Sequence, residues 1–197
     1  HQIPTNSSIS YTLTNSFTET TLKFTPKQAS GFDVKVFLEG EYKESFAEKI
    51  ITFFERISDY IPFLEQFTFE VQTSNSFPHS SGIASSASGM SAMALCLVQI
   101  EQLLGGTLSE EEVLKKASFL ARLGSGSACR SVYNGLVEWG KNDFITGSSD
   151  LYGTKYPDTE IHEVFKTFHD TILLIHEGQK SVSSTVGHNL MNGHPYA

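Results

Sequence analysis

The chain has 197 residues, a formal net charge of −8, and 39% hydrophobic against 18% charged residues. This apolar content is enough for a real core and excludes a disordered chain. The acidic balance excludes a general nucleic-acid binder, because such proteins carry a basic footprint.

Two further features of the sequence indicate where the protein works. The two cysteines, Cys96 and Cys129, are too few for a disulfide framework. The sequence shows no signal peptide and no apolar run of membrane-spanning length, which predicts a cytoplasmic protein without a membrane partner.

The first half of the chain alternates in the way that strands do. Strands are predicted at residues 8–13, 17–24, 32–38 and 67–73. Between the last two, residues 41–60 change to a helical period. The apolar positions that define this helical face lie three and four residues apart: Phe46, Ile50, Phe53, Phe54, Ile57 and Ile61.

The second half mixes helices and strands. A capping box, Ser109 to Glu112, predicts the start of one helix. The predicted elements are, in order, a helix at 86–104 stopped by Gly105 and Gly106, a helix at 113–123, a strand at 135–140, a loop-rich stretch at 142–158 and a buried strand at 171–176. A chain that begins with strands and continues with strands mixed with helices is typical of an α+β fold.

The stretch from Pro78 to Met90 joins a strand to a long apolar helix through small, hydroxyl-rich residues. A helix N-terminus offers free amide groups and a partial positive charge, and small side chains let an anion approach them. This context predicts a phosphate-binding loop, although it is not a Walker A loop. The alternative is an ordinary serine-rich turn with Ser85 or Ser86 as the N-cap.

A second loop of small residues, 124–131, contains a single cation, Arg130. Its guanidinium can bind a carboxylate or a phosphate through two parallel hydrogen bonds. The alternative is a surface salt bridge. A third hydroxyl-rich turn, 180–185, could add donors for a polyphosphate or could be a solvated turn. The histidines show no metal-binding spacing, which argues against a zinc site, and Cys129 as a nucleophile lacks an identifiable base.

Pro78, Gly82, Ile83 and the Ser85-Ser86-Ala87 run resemble the phosphate loop of the superfamily of galactokinase, homoserine kinase, mevalonate kinase and phosphomevalonate kinase (GHMP). Within it, four segments together resemble the diphosphomevalonate decarboxylases. They occur in that family's order, at residues 4–10, 77–89, 124–131 and 182–187.

The resemblance implies a fold and a reaction. The fold is an ATP-binding GHMP-kinase N-terminal domain of the ribosomal protein S5 domain 2-like type at residues 1–166, followed by the start of a ferredoxin-like C-terminal domain at 167–197. The reaction is ATP- and Mg²⁺-dependent decarboxylation of mevalonate 5-diphosphate to isopentenyl diphosphate, by 3-phosphorylation and loss of phosphate and carbon dioxide. A homodimer is compatible with it.

The resemblance also implies roles for individual residues. Arg130 and Ser127 are the implied catalytic residues. The ATP phosphates would be held by Ser81, Gly82, Ile83, Ala84, Ser85, Ser86 and Ala87, with Ser86 as the candidate Mg²⁺ ligand. The substrate would be held by Ser125, Ser127, Arg130, Ser183 and Ser184.

Two family segments are missing from the sequence: an N-terminal one with a lysine, and a C-terminal one with the aspartate that acts on the 3-hydroxyl. We therefore expect a fragment lacking both termini, inactive by itself. The alternatives are a mevalonate 3-kinase, a phosphomevalonate decarboxylase relative, or a non-catalytic nucleotide-binding module on the same fold.

Overall fold

The computed structural model describes residues 3–78, 83–173, 186, 190 and 193–195. These residues form two sheets and three α-helices, so the predicted α+β class is confirmed. The strands are β1 (Ser8–Tyr11), β2 (Thr18–Pro26), β3 (Asp33–Leu38), β4 (Glu41–Tyr42), β5 (Phe67–Asn75), β6 (Leu136–Trp139) and β7 (Thr154–Lys155). The helices are α1 (Glu44–Ile57), α2 (Ser85–Leu103) and α3 (Glu110–Gly124).

The larger sheet has the strand order β2-β5-β3-β4. β5 is antiparallel to β2 and parallel to β3. Along β5 the inward side chains are Phe67, Phe69 and Val71, as the period-two pattern predicts for a half-buried strand. The helices cover this face, and the ring of Phe69 meets that of Phe54 on α1 edge-on at 5.3 Å.

The smaller sheet has the order β1-β6-β7 and is antiparallel throughout. β1 and β6 are paired with Ser8 opposite Trp139 and Ile9 opposite Glu138. Gly140, directly after β6, has φ of +117°, and a Cβ there would lie 2.6 Å from the Cα of Ser7. The close approach of the two chains at the end of this sheet therefore requires glycine.

The helices begin and end for local reasons. The face predicted for α1 is correct, since Ile50, Phe53, Phe54 and Ile57 are buried. The capping box predicted at Ser109 is present at the start of α3. α2 is apolar on most sides because α3, β2 and the segment after α3 all pack against it.

Three predictions need correction. The helix expected from residue 41 begins at Glu44, because Glu39 (φ 53°) and Gly40 (φ 81°) form a left-handed tight turn that pairs β4 with β3. The loop expected at 124–131 is largely a 3₁₀ helix, Gly126–Val132, which we call the 3₁₀ segment. The buried strand expected at 171–176 is wrong as far as it is described: residues 171–173 are exposed and not in a strand, and 174–176 lie outside the described residues.

Within the residues that the structure describes, no helix has the length and apolar character needed to cross a membrane.

Candidate functional site

The start of α2 is the first half of the predicted site. β5 ends at Asn75 and α2 begins at Ser85, so the strand and helix flank the loop as the sequence predicts. Ile83 and Ala84 lead into the helix, and Ser85, Ser86 and Ala87 form its first turn. Two residues predicted to hold ATP, Ser81 and Gly82, lie outside the described residues.

The N-cap of α2 is Ala84, in the left-handed conformation at φ 54° and ψ 38°. The alternative that Ser85 or Ser86 caps the helix is wrong, because both residues are already helical and Ala84 has no side chain that could cap. The Ala84 carbonyl accepts hydrogen bonds from the amides of Ala87 at 2.9 Å and Ser88 at 3.2 Å. The amides of Ser85 and Ser86 precede those bonds and are oriented out of the helix end. The helix therefore presents backbone donors and its positive dipole end to an anion.

The 3₁₀ segment is the second half of the predicted site. α3 ends at Gly124, and Ser125 turns the backbone to an extended conformation, φ −153° and ψ 116°, before the segment begins. Ser125 and Ser127 are half-buried, and the Ser125 carbonyl accepts from the Ala128 amide at 2.8 Å. The segment packs against both α2 and α3. The structure thus places the two predicted halves on neighbouring elements.

Arg130 is held by two residues of the smaller sheet. Its Nη1 donates a hydrogen bond to Oγ of Ser8, and its guanidinium carbon lies 5.7 Å from the centre of the Trp139 ring. Among the carboxylates of the described residues, none forms an ion pair with Arg130. The alternative of a surface salt bridge therefore finds no support in this part of the chain. A guanidinium oriented but not neutralised is suited to bind an anion.

Cys129 cannot serve as a nucleophile. Its side chain is fully buried, and this burial raises the pKa of the thiol to about 12, against the smaller opposing effects of Arg130 and Arg122. The thiol stays protonated at neutral pH, so it behaves as a small apolar side chain.

Glu138 precedes Trp139 on β6 and so lies on the opposite face of the smaller sheet. It borders a cavity of about 440 Å³ that Ser7 and Ile9 also line. Its side chain is 3% exposed, and Oε1 accepts a hydrogen bond from Nδ2 of Asn142. Oε2 has no hydrogen-bond partner among the described residues. Burial raises the pKa of this carboxyl above its ordinary value, and hydrogen bonds from Asn142 and Ser7 oppose the shift.

Sequence reasoning missed Ser8 and Trp139 as partners of Arg130. They are 131 residues apart and meet only because β1 and β6 pair in one register. No short-range signal marks such a pair. Ser183 and Ser184, predicted to lie near the substrate, are outside the described residues. In the part of the chain that is described, no three residues of the histidine, cysteine, aspartate and glutamate types are grouped to hold a metal.

Known proteins resemble this chain in sequence and in fold. A family model described as the diphosphomevalonate decarboxylase-like N-terminal domain matches residues 1–151. The diphosphomevalonate decarboxylase of Debaryomyces hansenii is 28% identical over 200 residues, which cover 94% of this chain and 47% of that protein. The chain spans half or less of the length of the curated relatives it matches, between 29% and 50% in the first four.

Solved structures show the same fold. Mevalonate diphosphate decarboxylase from Staphylococcus aureus is 32% identical with a TM-score of 0.62, covering 80% of this chain and 44% of that one. A structure designated MDDEF, in complex with MVAPP, AMPPCP and magnesium, is 31% identical with a TM-score of 0.59, covering 80% and 44%.

The fold is therefore the α+β fold of the GHMP superfamily. The match over residues 1–151 covers well over half of the chain, and it assigns the chain to the diphosphomevalonate decarboxylase-like family.

Proposed function

We propose that this chain belongs to an enzyme that converts mevalonate 5-diphosphate and ATP to isopentenyl diphosphate, ADP, phosphate and carbon dioxide. One observation carries the proposal. In this chain, which belongs to the decarboxylase-like family, Ser8 and Trp139 orient Arg130, and no carboxylate of the described residues pairs with it. Arg130 lies on the 3₁₀ segment, which packs against α2, the helix whose N-terminal amides are free to bind an anion. The relatives named diphosphomevalonate decarboxylase and the complex with MVAPP, AMPPCP and magnesium support this choice of substrate and nucleotide.

The α2 N-terminus is proposed to hold the ATP phosphates. Backbone amides at Ser85 and Ser86 are the donors, and Ile83, Ala84 and Ala87 shape the turn around them. Ser81 and Gly82 complete the loop in this proposal, although they lie outside the described residues. The exposed Ser86 hydroxyl fits a Mg²⁺ ion that takes most of its ligands from phosphates and water. The ion would neutralise charge as the phosphoryl group is transferred.

The 3₁₀ segment is proposed to hold the acceptor. Ser125, Ser127 and Arg130 offer hydroxyl and guanidinium donors, with Arg130 and Ser127 beside the reacting groups. The γ-phosphoryl group would pass from ATP to the 3-hydroxyl oxygen, and the hydroxyl proton would pass to the aspartate that the family resemblance implies. The bond to the carboxylate carbon would then break, its electron pair would form the alkene, and the C–O bond to phosphate would break. Arg130 would stabilise the negative charge that moves during these steps.

The same proposal places Ser183 and Ser184 near the substrate, a domain boundary near residue 166, the protein in the cytoplasm and two copies in a homodimer. A small-molecule substrate is supported by the solved complex with MVAPP, AMPPCP and magnesium.

The test is an assay of the protein expressed at full length with ATP, Mg²⁺ and mevalonate 5-diphosphate, in which carbon dioxide and phosphate are measured together. We expect the two products in equal amounts. Phosphorylated substrate without carbon dioxide would contradict the decarboxylase and identify a 3-kinase. Turnover of the monophosphate but not the diphosphate would contradict the substrate. Nucleotide binding without any turnover would indicate a non-catalytic module.

A further inference from the structure

The contacts of Arg130 come from one rigid pair. Ser8 and Trp139 face each other across β1 and β6, and the Ser8 hydroxyl also lies 3.5 Å from the Trp139 carbonyl. The Arg130 guanidinium thus has Nη1 on the Ser8 hydroxyl and one face towards the Trp139 ring. A side chain as long as arginine loses much rotamer freedom when it is held in this way. The sheet supplies that order before any ligand binds.

The Trp139 ring is itself fixed by the loop that follows it. The indole Nε1 donates to the carbonyl of Asp150 at 2.9 Å. The loop is closed by two further bonds, from the Lys141 amide to Oδ1 of Asp150 at 2.7 Å and from the Gly140 amide to the Ser149 carbonyl at 3.0 Å. The indole therefore has one orientation, set by residues 140–150.

We propose that Trp139 and Ser8 are the positioning residues of the site: they hold Arg130 so that its remaining N–H groups face the anionic substrate. Among the described residues, Nε and Nη2 of Arg130 have no hydrogen-bond partner, so both remain for a carboxylate or phosphate. The role assigned to the anion rests on the proposed function, whereas the Arg130–Trp139 contact does not. Misplacing an oriented group by about 1 Å can cost on the order of 10²-fold in rate, so loss of the indole should reduce kcat.

The contact can be tested without any enzyme assay, because Trp139 is the sole tryptophan of the chain. Its fluorescence should change in Arg130→Ala without ligand, and acrylamide should quench it more readily because the indole face is uncovered. Inorganic diphosphate should alter the emission of the wild-type chain and leave that of Arg130→Ala unchanged. Emission and quenching that are identical in wild type and Arg130→Ala would overturn the proposed contact.

The positioning role is tested by kinetics of the protein at full length. In Trp139→Leu we expect kcat to fall about 10- to 100-fold while KM for ATP stays within about threefold. Trp139→Phe keeps an aromatic face and should recover a large part of kcat, which also guards against a Leu variant that does not fold. Ser8→Ala should lower kcat in the same sense.

The matched control is Tyr152→Leu, which removes an aromatic ring from a cation 4.6 Å away, Lys115, outside the site. It should leave kcat unchanged. Equal losses in Tyr152→Leu, or a parallel rise of KM for ATP in Trp139→Leu, would contradict positioning and indicate a general structural role. If the wild-type protein shows no decarboxylation, the proposed function fails, and the fluorescence comparison still decides whether Arg130 contacts Trp139.

Discussion

The hydroxyl of Ser118 donates a hydrogen bond of 2.7 Å to the carbonyl of Cys129, the residue directly before Arg130. The same oxygen accepts a bond of 2.8 Å from the amide of Gly153. Ser118 is fully buried on α3, so one side chain connects that helix to the 3₁₀ segment and to the turn before β7. A Cβ at Gly153 would lie 2.8 Å from the Cys129 carbonyl oxygen, which shows how closely these chains approach.

Ser118→Ala should therefore destabilise the protein by about 1–3 kcal/mol, because it leaves the buried Gly153 amide without its partner and removes a hydrogen bond to the Cys129 carbonyl. Urea unfolding measures this loss. Ser91→Ala is the matched control, since Ser91 is also buried on a helix but donates only within α2, to the Ala87 carbonyl at 2.8 Å. A loss in Ser91→Ala as large as that in Ser118→Ala would argue against the connecting role of Ser118.

Glu138 should make stability depend on pH. Its pKa is raised above the ordinary value of 4.5, first of all by burial. The folded protein then binds this proton more tightly than the unfolded chain does, so stability falls as pH rises from 4.5 through the raised pKa. Glu138→Gln removes this titration. The Tm of the variant relative to that of the wild type should therefore increase as the pH rises from 4.5 through the raised pKa.

Glu112→Gln gives the opposite sign and serves as the control for Glu138. Hydrogen bonds from Ser109 lower the pKa of Glu112, so its stabilising effect is present above pH 4.5 and lost as pH falls through the lowered pKa. Both pKa shifts would be contradicted if the Tm of each variant, plotted against pH, ran parallel to that of the wild type from acid to neutral pH.

The capping box at the start of α3 should make a measurable contribution to the free energy of unfolding. The Ser109 hydroxyl accepts from the Glu112 amide at 3.4 Å, and the Glu112 carboxylate accepts from the Ser109 amide at 2.8 Å. Ser109→Ala is expected to cost about 1 kcal/mol, as N-cap serines generally do. Ser30→Ala, at an exposed bend, should leave the unfolding midpoint unchanged. No difference between the two variants would show that the cap contributes nothing.

Ala84 tests the α2 N-terminus. Its left-handed backbone costs about 1–2 kcal/mol for a residue with a Cβ, and a β-branched side chain tolerates it less. We expect Ala84→Val to weaken both stability and ATP binding, and Ala84→Gly to keep both. Calorimetric titration with ATP measures the second effect. Ala29→Val, at an exposed position with ordinary φ, is the control. Equal ATP affinity in Ala84→Val and wild type would place the nucleotide elsewhere.

Local signals in the sequence were sufficient for much of the fold. The helical period placed Phe53 and Ile57 in the core, and the Ser109 box marked the start of α3. β4 was missed because a strand of two residues after a tight turn has no measurable period. The apolar run at 171–173 resembled a buried strand, yet it is exposed and pairs with no strand among the described residues.

The residues proposed to bind the ligands could be selected from the sequence, whereas the residues that support them could not. Arg130 and Ser85 stand out because a lone cation in a small-residue stretch and a strand–loop–helix unit have direct chemical meanings. Ser8, Ser118 and Trp139 act through pairings between distant parts of the chain, and no periodicity encodes which strands will meet. Ala128 and Cys129 of the 3₁₀ segment are likewise fully buried, in contacts that a local pattern does not encode.

We propose that the α2 N-terminus holds ATP and that Arg130 acts on the acceptor. The most direct measurement compares Arg130→Ala with wild type at full length, for carbon dioxide release and for ATP affinity in the same preparation. We predict that turnover falls by about 10²-fold or more, as for other oriented charge-stabilising groups, while the ATP Kd stays unchanged. A collapse of ATP binding in Arg130→Ala, or turnover equal to wild type, would contradict the account.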